Sequence, residues 1–185
     1  CRHELWGHCS SAKHIRSSDP QCGFTLIELM VTIAVAGVLL GLALPTFRES
    51  LANQWAKSAA SEMHLSMLMA RSEAIKRSAN IEIASNGGAV WNAGWVVRIA
   101  SDGTVLRTSE SMPSTTFTCG NEAGTEVTCP GTVVFSRTGR PTDFIEFRAF
   151  VPQYGTVLTR CVSVSLSGRP RVITDSDSDT TNGCD

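Results

Sequence analysis

The hydrophobic positions of the chain begin with one long uninterrupted apolar run. Residues 24–44 carry a single charge, that of Glu28. At about 1.5 Å of rise per residue, a helix of this length crosses the roughly 30 Å hydrocarbon layer of a membrane. We therefore expect a transmembrane helix over residues 24–44.

After Pro45 the apolar positions recur with the period of an amphipathic helix. The apolar stripe consists of Phe47, Leu51, Trp55, Ala59, Met63, Met67, Ala70 and Ala74. We expect this stripe to be the helix's core contact with a sheet, over an amphipathic segment 45–79 that ends near Ser78. Pro45 predicts a kink, because proline removes a backbone hydrogen bond and clashes with the preceding turn.

From Asn80 onward the period changes to two, which indicates short strands separated by turns. The expected strands are 81–85, 91–100, 104–108, 132–136, 144–151, 157–166 and 171–174. Asp102-Gly103 lies between two apolar stretches and predicts a hairpin. The pattern predicts an α+β fold: a long amino-terminal helix, transmembrane in its first half, packed on a mainly antiparallel sheet formed by residues 80–185.

Glu28 is the unusual residue of the apolar run. A carboxylate within a membrane helix costs about 2.5–3.5 kcal/mol on insertion scales, so we expect it to have a partner. An ordinary secretory signal has a shorter apolar core, and a plain anchor has no such charge. The lone acid is therefore the strongest functional clue in the chain.

Gly23-Phe24-Thr25-Leu26-Ile27-Glu28-Leu29-Met30, followed by the apolar helix, resembles the class III signal of type IV pilins and type II secretion pseudopilins. The resemblance implies that prepilin peptidase removes a leader, residues 1–23, between Gly23 and Phe24 and methylates the new amino terminus. It also implies that Glu28 pairs with the Phe24 amine of a neighbouring subunit. The basic residues before Phe24 favour a cytoplasmic leader, and hence a single-pass inner-membrane protein with a periplasmic carboxyl-terminal domain.

Three later segments narrow the resemblance to the FimT/GspH family of minor pilins and pseudopilins. They are Trp91-Asn92-Ala93-Gly94-Trp95-Val96-Val97, Val133-Val134-Phe135-Ser136-Arg137-Thr138-Gly139-Arg140 and Ser165-Leu166-Ser167-Gly168-Arg169-Pro170-Arg171. With the amino-terminal signal, the likeness covers nearly all of residues 22–174. The partners that it implies are other pilin or pseudopilin subunits, prepilin peptidase and the inner membrane.

The proposed topology leaves four of the seven cysteines in the exported part: Cys119, Cys129, Cys161 and Cys184. An even count in an oxidising compartment suggests two disulfides. Proximity in sequence favours Cys119 with Cys129 and Cys161 with Cys184, although four cysteines allow three pairings. Each closure is worth about 3 kcal/mol by chain entropy. The Cys-x9-Cys spacing argues against zinc.

The segment Gly168-Arg169-Pro170-Arg171 carries the sharpest functional hypothesis. In FimT-type minor pilins, a Gly-Arg-x-Arg motif near the carboxyl end is associated with DNA binding during natural transformation. Here glycine permits a tight turn, and Arg169 and Arg171 can each hold a phosphate through paired hydrogen bonds. A similar turn is expected at Gly139-Arg140-Pro141. Arg137 and Arg140 extend the patch if the two turns lie at one end of the sheet. Such contacts to double-stranded DNA would be independent of sequence and sensitive to salt.

Charge and alternatives limit this hypothesis. From residue 80 onward there are 8 arginines, no lysine and 11 acidic residues, so any DNA site is local. The alternative is a structural role, in which these arginines are ordinary turn and edge-strand residues that keep the sheet edges from pairing with other strands. Two other functions stay open: a minor pseudopilin near the tip of a type II secretion apparatus, and a purely structural subunit that primes or stabilises a pilus tip.

The sequence gives no support to an enzyme, a cofactor or a metal site. No nucleophile–base pair or phosphate loop is evident, and no histidine follows His64. The amino-terminal set Cys1, His3, His8, Cys9 and His14 fits no zinc signature. The acidic tail 175–179 lacks the glycine and final glutamate of an EF-hand loop.

Overall fold

The computed structural model describes residues 24–176 and residue 184, with only the backbone described for residues 42–45. The predicted leader with Gly23, the amino-terminal Cys/His set and most of the acidic tail lie outside these residues. The chain divides into two compact units, residues 1–41 and residues 42–185.

One helix, α1, runs from Leu26 to Arg77. Thr25 caps its start, because the Thr25 Oγ1 atom accepts a hydrogen bond from the Glu28 amide at 3.2 Å. At its end Ser78 has a φ of 51°, and the Ala79 amide donates to the Ala74 carbonyl at 3.2 Å. This is the left-handed cap that commonly ends a helix.

All the described side chains of the first unit, residues 24–41, are exposed. Among the described residues, no single straight helix meets the length and hydropathy expected of a membrane span. Leu26–Gly41 and Thr46–Arg77 meet them only when taken as a pair.

The described part of the second unit contains nine strands, and every pairing between them is antiparallel. They are β1 Ile81–Gly87, β2 Val90–Ile99, β3 Val105–Ser109, β4 Thr116–Gly120, β5 Glu126–Val127, β6 Thr132–Phe135, β7 Ile145–Phe150, β8 Arg160–Val164 and β9 Pro170–Thr174. The first sheet has the order β3-β2-β1-β6, and the second has the order β5-β4-β7-β8-β9. The predicted helix-on-antiparallel-sheet class is confirmed, with the strands divided between two sheets.

Two strands, β4 and β5, were not expected from the sequence. Their residues are mainly Thr, Cys, Gly and Glu, so the apolar alternation that predicts strands is weak. The Cys119–Cys129 disulfide closes this hairpin, with Cα atoms 5.1 Å apart. Cys161 and Cys184 form a second disulfide, so the pairing favoured by proximity is the one present.

The sheets pack on an alanine- and methionine-rich face of α1. The buried apolar residues of the described helix are Ala52, Ala56, Ala59, Ala60, Met63, Met67, Ala70 and Ala74. The sequence stripe was therefore wrong at its start: Phe47, Leu51 and Trp55 are 62%, 36% and 41% exposed. Successive helix residues differ by about 100°, and the buried positions there are the small neighbours Ala52 and Ala56, which pack against Val151 and Val157 in the connection between β7 and β8.

An aromatic cluster fills the space beneath this face. Trp91 and Phe147 have ring centroids 4.7 Å apart, and Trp95 and Phe117 have centroids 5.8 Å apart, both in edge-to-face arrangements. The indole of Trp95 donates to Ser66 Oγ on α1 at 2.9 Å. This buried hydrogen bond ties the cluster to the helix.

Glu62 forms a polar tie between α1 and β3. Its Oε1 atom accepts hydrogen bonds from Arg107 Nη2 at 2.6 Å and from Ser109 Oγ at 2.6 Å. Burial raises the pKa of Glu62, but the hydrogen bonds from Ser109 and Arg107 outweigh it, so the pKa lies below its usual value.

Candidate nucleic-acid interface

The first arginine turn follows β6. The Gly139 amide donates to the Ser136 carbonyl at 2.7 Å, and the Ser136 amide donates to the Arg140 carbonyl at 2.8 Å. Gly139 has a φ of 73°, a conformation that glycine adopts without strain. This tight turn leaves Arg137 and Arg140 exposed.

The second arginine turn connects β8 to β9, whose last pair is Val164 with Pro170. The Gly168 amide donates to the Ser165 carbonyl at 2.8 Å, and Gly168 has a φ of 76°. Arg169 and Arg171 are exposed at and just after this turn, while Gly168 itself is buried.

The structure brings the two turns together. A Cβ atom added at Gly168 would collide with the carbonyl oxygen of Gly139 and would lie 3.4 Å from the Cα of Arg140. Only a residue without a side chain permits this backbone approach. The turns that carry Arg137, Arg140, Arg169 and Arg171 are therefore adjacent, but they meet across two sheets and not at one end of a single sheet as expected, since β6 belongs to the first sheet and β8 and β9 to the second.

Arginines of the β-rich region divide into two groups by their partners. Four are held by the fold: Arg98 pairs with Glu82, Arg107 with Glu62 and Arg148 with Glu146, while Arg160 donates to Thr174 and Asn53. The other four are the exposed arginines of the two turns. Within the described residues, no carboxylate lies within 4.0 Å of any of them.

We call Arg137, Arg140, Arg169 and Arg171 together the arginine-turn surface. Guanidinium groups with no carboxylate partner are available to an external anion, and their planar fork matches the geometry of a phosphate.

Arg71, which lies on α1, was not among the site residues expected from the sequence. The Arg71 Nη1 atom donates a hydrogen bond to the Gly168 carbonyl at 2.7 Å. The two residues are 97 positions apart, so no local pattern could have indicated the contact.

At the amino-terminal end of α1, Phe24 is 82% exposed. Glu28 lies in the first helical turn, and its side chain is exposed. Among the described residues, no hydrogen bond or ion pair reaches the Glu28 carboxylate. Both groups are thus accessible for the predicted processing and assembly.

Two family models match the chain. Residues 59–168 match the family model described as "Type II transport protein GspH", and residues 19–44 match the "Prokaryotic N-terminal methylation motif". A search of curated proteins finds no match.

Among solved structures, two crystal structures of the type IV minor pilin FimU from Pseudomonas aeruginosa strain PAO1 are similar, each at 20% identity. The TM-scores are 0.54 and 0.53. Each alignment covers 70% of this chain, together with 94% of the first FimU chain and 99% of the second. This likeness shows a shared pilin fold.

Proposed function

Because the chain belongs to the GspH family of minor pilins and pseudopilins, we propose that it is a type IV pilus subunit that binds double-stranded DNA through its arginine-turn surface. The uptake of DNA in natural transformation is the process that such a subunit would serve. One observation carries the proposal: in the described β-rich region, the arginines whose side chains have neither a carboxylate partner nor a hydrogen bond to the fold are those of two turns that pack against each other.

The surface suits the phosphate backbone of DNA better than its bases. The part of the chain from residue 80 onward is net acidic, with 8 arginines and 11 acidic residues, so attraction is confined to the turns. Exposed guanidinium groups on tight turns can contact phosphates without entering a groove. Binding of this kind is independent of sequence and weakens as salt rises.

The test compares DNA binding by the full chain, purified in a neutral detergent, with that of the variant Arg169→Ala/Arg171→Ala. We expect the variant to bind a duplex at least about tenfold more weakly, since each charge-assisted hydrogen bond is worth about 1.5–3 kcal/mol. The slope of log K against log salt should fall by about 0.9 for each phosphate that the variant no longer neutralises. Fluorescence anisotropy with a labelled duplex measures both.

A matched control removes the same charge from arginines that the fold already engages. The variant Arg77→Ala/Arg98→Ala removes two cations that pair with Glu73 and Glu82. We expect its DNA affinity to stay within about twofold of the parent, because its arginine-turn surface is intact. Equal binding by the parent and the Arg169→Ala/Arg171→Ala variant would refute the proposed site.

The anchor is part of the same proposal. We infer that residues 1–23 are a leader removed after Gly23, that Phe24 is methylated, and that residues 24–44 cross the inner membrane ahead of the amphipathic segment 45–79. Residues 80–185 would then form the periplasmic domain. The methylation-motif match over residues 19–44 supports this arrangement.

A second candidate function is a minor pseudopilin of a type II secretion system. The description of the matched family as a type II transport protein favours it. Deletion of the gene separates the two functions: loss of DNA uptake with normal protein secretion supports the pilus subunit, and the reverse supports the pseudopilin.

A further inference from the structure

Both arginine turns contact the same side chain of α1, that of Arg71. Arg71 is half-buried, and its guanidinium donates to the Gly168 carbonyl at 2.7 Å. A guanidinium donor in a rigid fork fixes the direction of its acceptor better than a flexible ammonium does. The contact therefore restrains the backbone immediately before Arg169.

The stem of the same side chain lies beneath the other turn. A Cβ atom added at Gly139 would lie 3.1 Å from Arg71 Cγ and 2.6 Å from Ile75 Cδ1. Gly139 in turn lies against Gly168. Arg71 thus touches the first turn with its aliphatic part and the second turn with its charged end.

We propose that Arg71 is a positioning residue that holds the two arginine turns as one phosphate-binding unit, without contacting phosphate itself. The proposal rests on the proposed function. A unit whose turns are already oriented loses less conformational entropy when it binds DNA than two independently moving turns do. Removing the Arg71 guanidinium should therefore weaken binding even though all four surface arginines remain.

The first experiment replaces Arg71 by methionine, which keeps an unbranched stem and removes the donor. We expect Arg71→Met to bind a labelled duplex about tenfold more weakly, because the Gly168 carbonyl is released and the second turn is no longer fixed. Arg77→Met is the matched control: it removes one cation from the same helix but from an arginine that pairs with Glu73. The control should bind within about twofold of the parent.

A double-mutant cycle separates positioning from direct contact. Arg71→Met is measured in the parent and in Arg169→Ala/Arg171→Ala, at about 50 mM salt, where the remaining arginines still hold DNA. If Arg71 acts through the second turn, its effect shrinks to less than about threefold in the doubly substituted background. A residue that binds phosphate directly would show the same weakening, and the same decrease in salt slope of about 0.9, in both backgrounds. That result would overturn the inference.

Arg71→Lys keeps the test decisive if Arg71→Met does not fold. It retains the charge but replaces the planar fork by a single flexible ammonium, so we expect affinity about threefold weaker in the parent and unchanged in the doubly substituted background. Equal weakening in both backgrounds would contradict positioning. The inference fails alone if Arg169→Ala/Arg171→Ala weakens DNA binding as expected while every Arg71 variant binds like the parent. If Arg169→Ala/Arg171→Ala itself binds normally, the proposed function fails.

Discussion

The carboxylate of Glu62 concentrates three hydrogen bonds on one oxygen, from Arg107 Nε at 3.2 Å, Arg107 Nη2 at 2.6 Å and Ser109 Oγ at 2.6 Å. These donors favour the ionised form and keep the pKa of Glu62 below its usual value against the opposing effect of burial. A group whose pKa is lowered by folding stabilises the native state above its unfolded pKa. That contribution disappears as the pH falls through the folded pKa.

We expect Glu62→Gln to lower the free energy of unfolding by about 1 kcal/mol at pH 7, because it weakens hydrogen bonds to a charged acceptor that is partly exposed to water. The deficit should shrink as the pH drops below the ordinary glutamate pKa of about 4.3, since the parent is then protonated as well. Urea unfolding followed by tryptophan fluorescence at both ends of this range measures the difference.

The control for Glu62→Gln is Glu73→Gln on the same helix. Glu73 pairs with Arg77 Nε at 2.5 Å at the surface, so its replacement should have a much smaller effect at neutral pH. A deficit in Glu62→Gln that stayed constant down to acid pH would show that packing, not charge, explains the destabilisation.

At the scale of elements, the close approach of α1 to the sheets depends on alanine. Ala59 is fully buried in the main core cluster, which also contains Met63. We expect Ala59→Leu to destabilise the domain by about 1–3 kcal/mol, because a larger side chain in a close-packed interface displaces the helix or strains rotamers. Chemical denaturation provides the measurement. Ser61→Leu, at an exposed position two residues along the helix, should change stability by less than about 0.5 kcal/mol.

This interface also shows how far the sequence predicts the fold. The 3.6 period located the helix and the period of two located seven of the strands, because each period reports which face of an element is buried. The periods did not distinguish Leu51 from Ala52 or Trp55 from Ala56. A preference for large apolar residues selected the wrong neighbour in each pair, since burial there depends on how closely the segment between β7 and β8 approaches the helix. If Ser61→Leu destabilised the domain as much as Ala59→Leu, that result would contradict the buried face of α1 that the structure shows.

The candidate site was predictable to a similar extent. The Gly-Arg repeats marked both turns, because glycine with a positive φ is a local requirement. Arg71 was not predictable, because its hydrogen bond to the Gly168 carbonyl joins two distant parts of the chain. The sequence also did not reveal which arginines the fold engages. Arg98, Arg107, Arg148 and Arg160 each have a partner within the fold, and that partner distinguishes them from the arginines of the turns.

At the scale of the whole molecule, we expect the lone acid of the apolar run, Glu28, to determine whether the subunit can enter a filament. Within the described residues Glu28 has no hydrogen-bonding or ionic partner for its carboxylate, and an unpaired carboxylate in lipid costs about 2.5–3.5 kcal/mol on insertion scales. The amine of a processed Phe24 on a neighbouring subunit would relieve that cost. An ion pair removed from water is favourable only when both charges are present, so assembly would select processed subunits.

We expect Glu28→Ala to remain in the membrane fraction, because the variant helix is more apolar than the parent, and to be absent from sheared filaments. Immunoblotting of the two fractions measures this partition. Glu49→Ala removes a charge from an exposed position beyond the apolar run and should assemble normally. Mass spectrometry of the parent from filaments should give a methylated Phe24 as the first residue. Since the proposed partner of Glu28 is an amine that exists only after cleavage, two results would rule out this account of assembly. One is the recovery of Glu28→Ala in filaments, and the other is a parent in filaments that retains residues before Phe24.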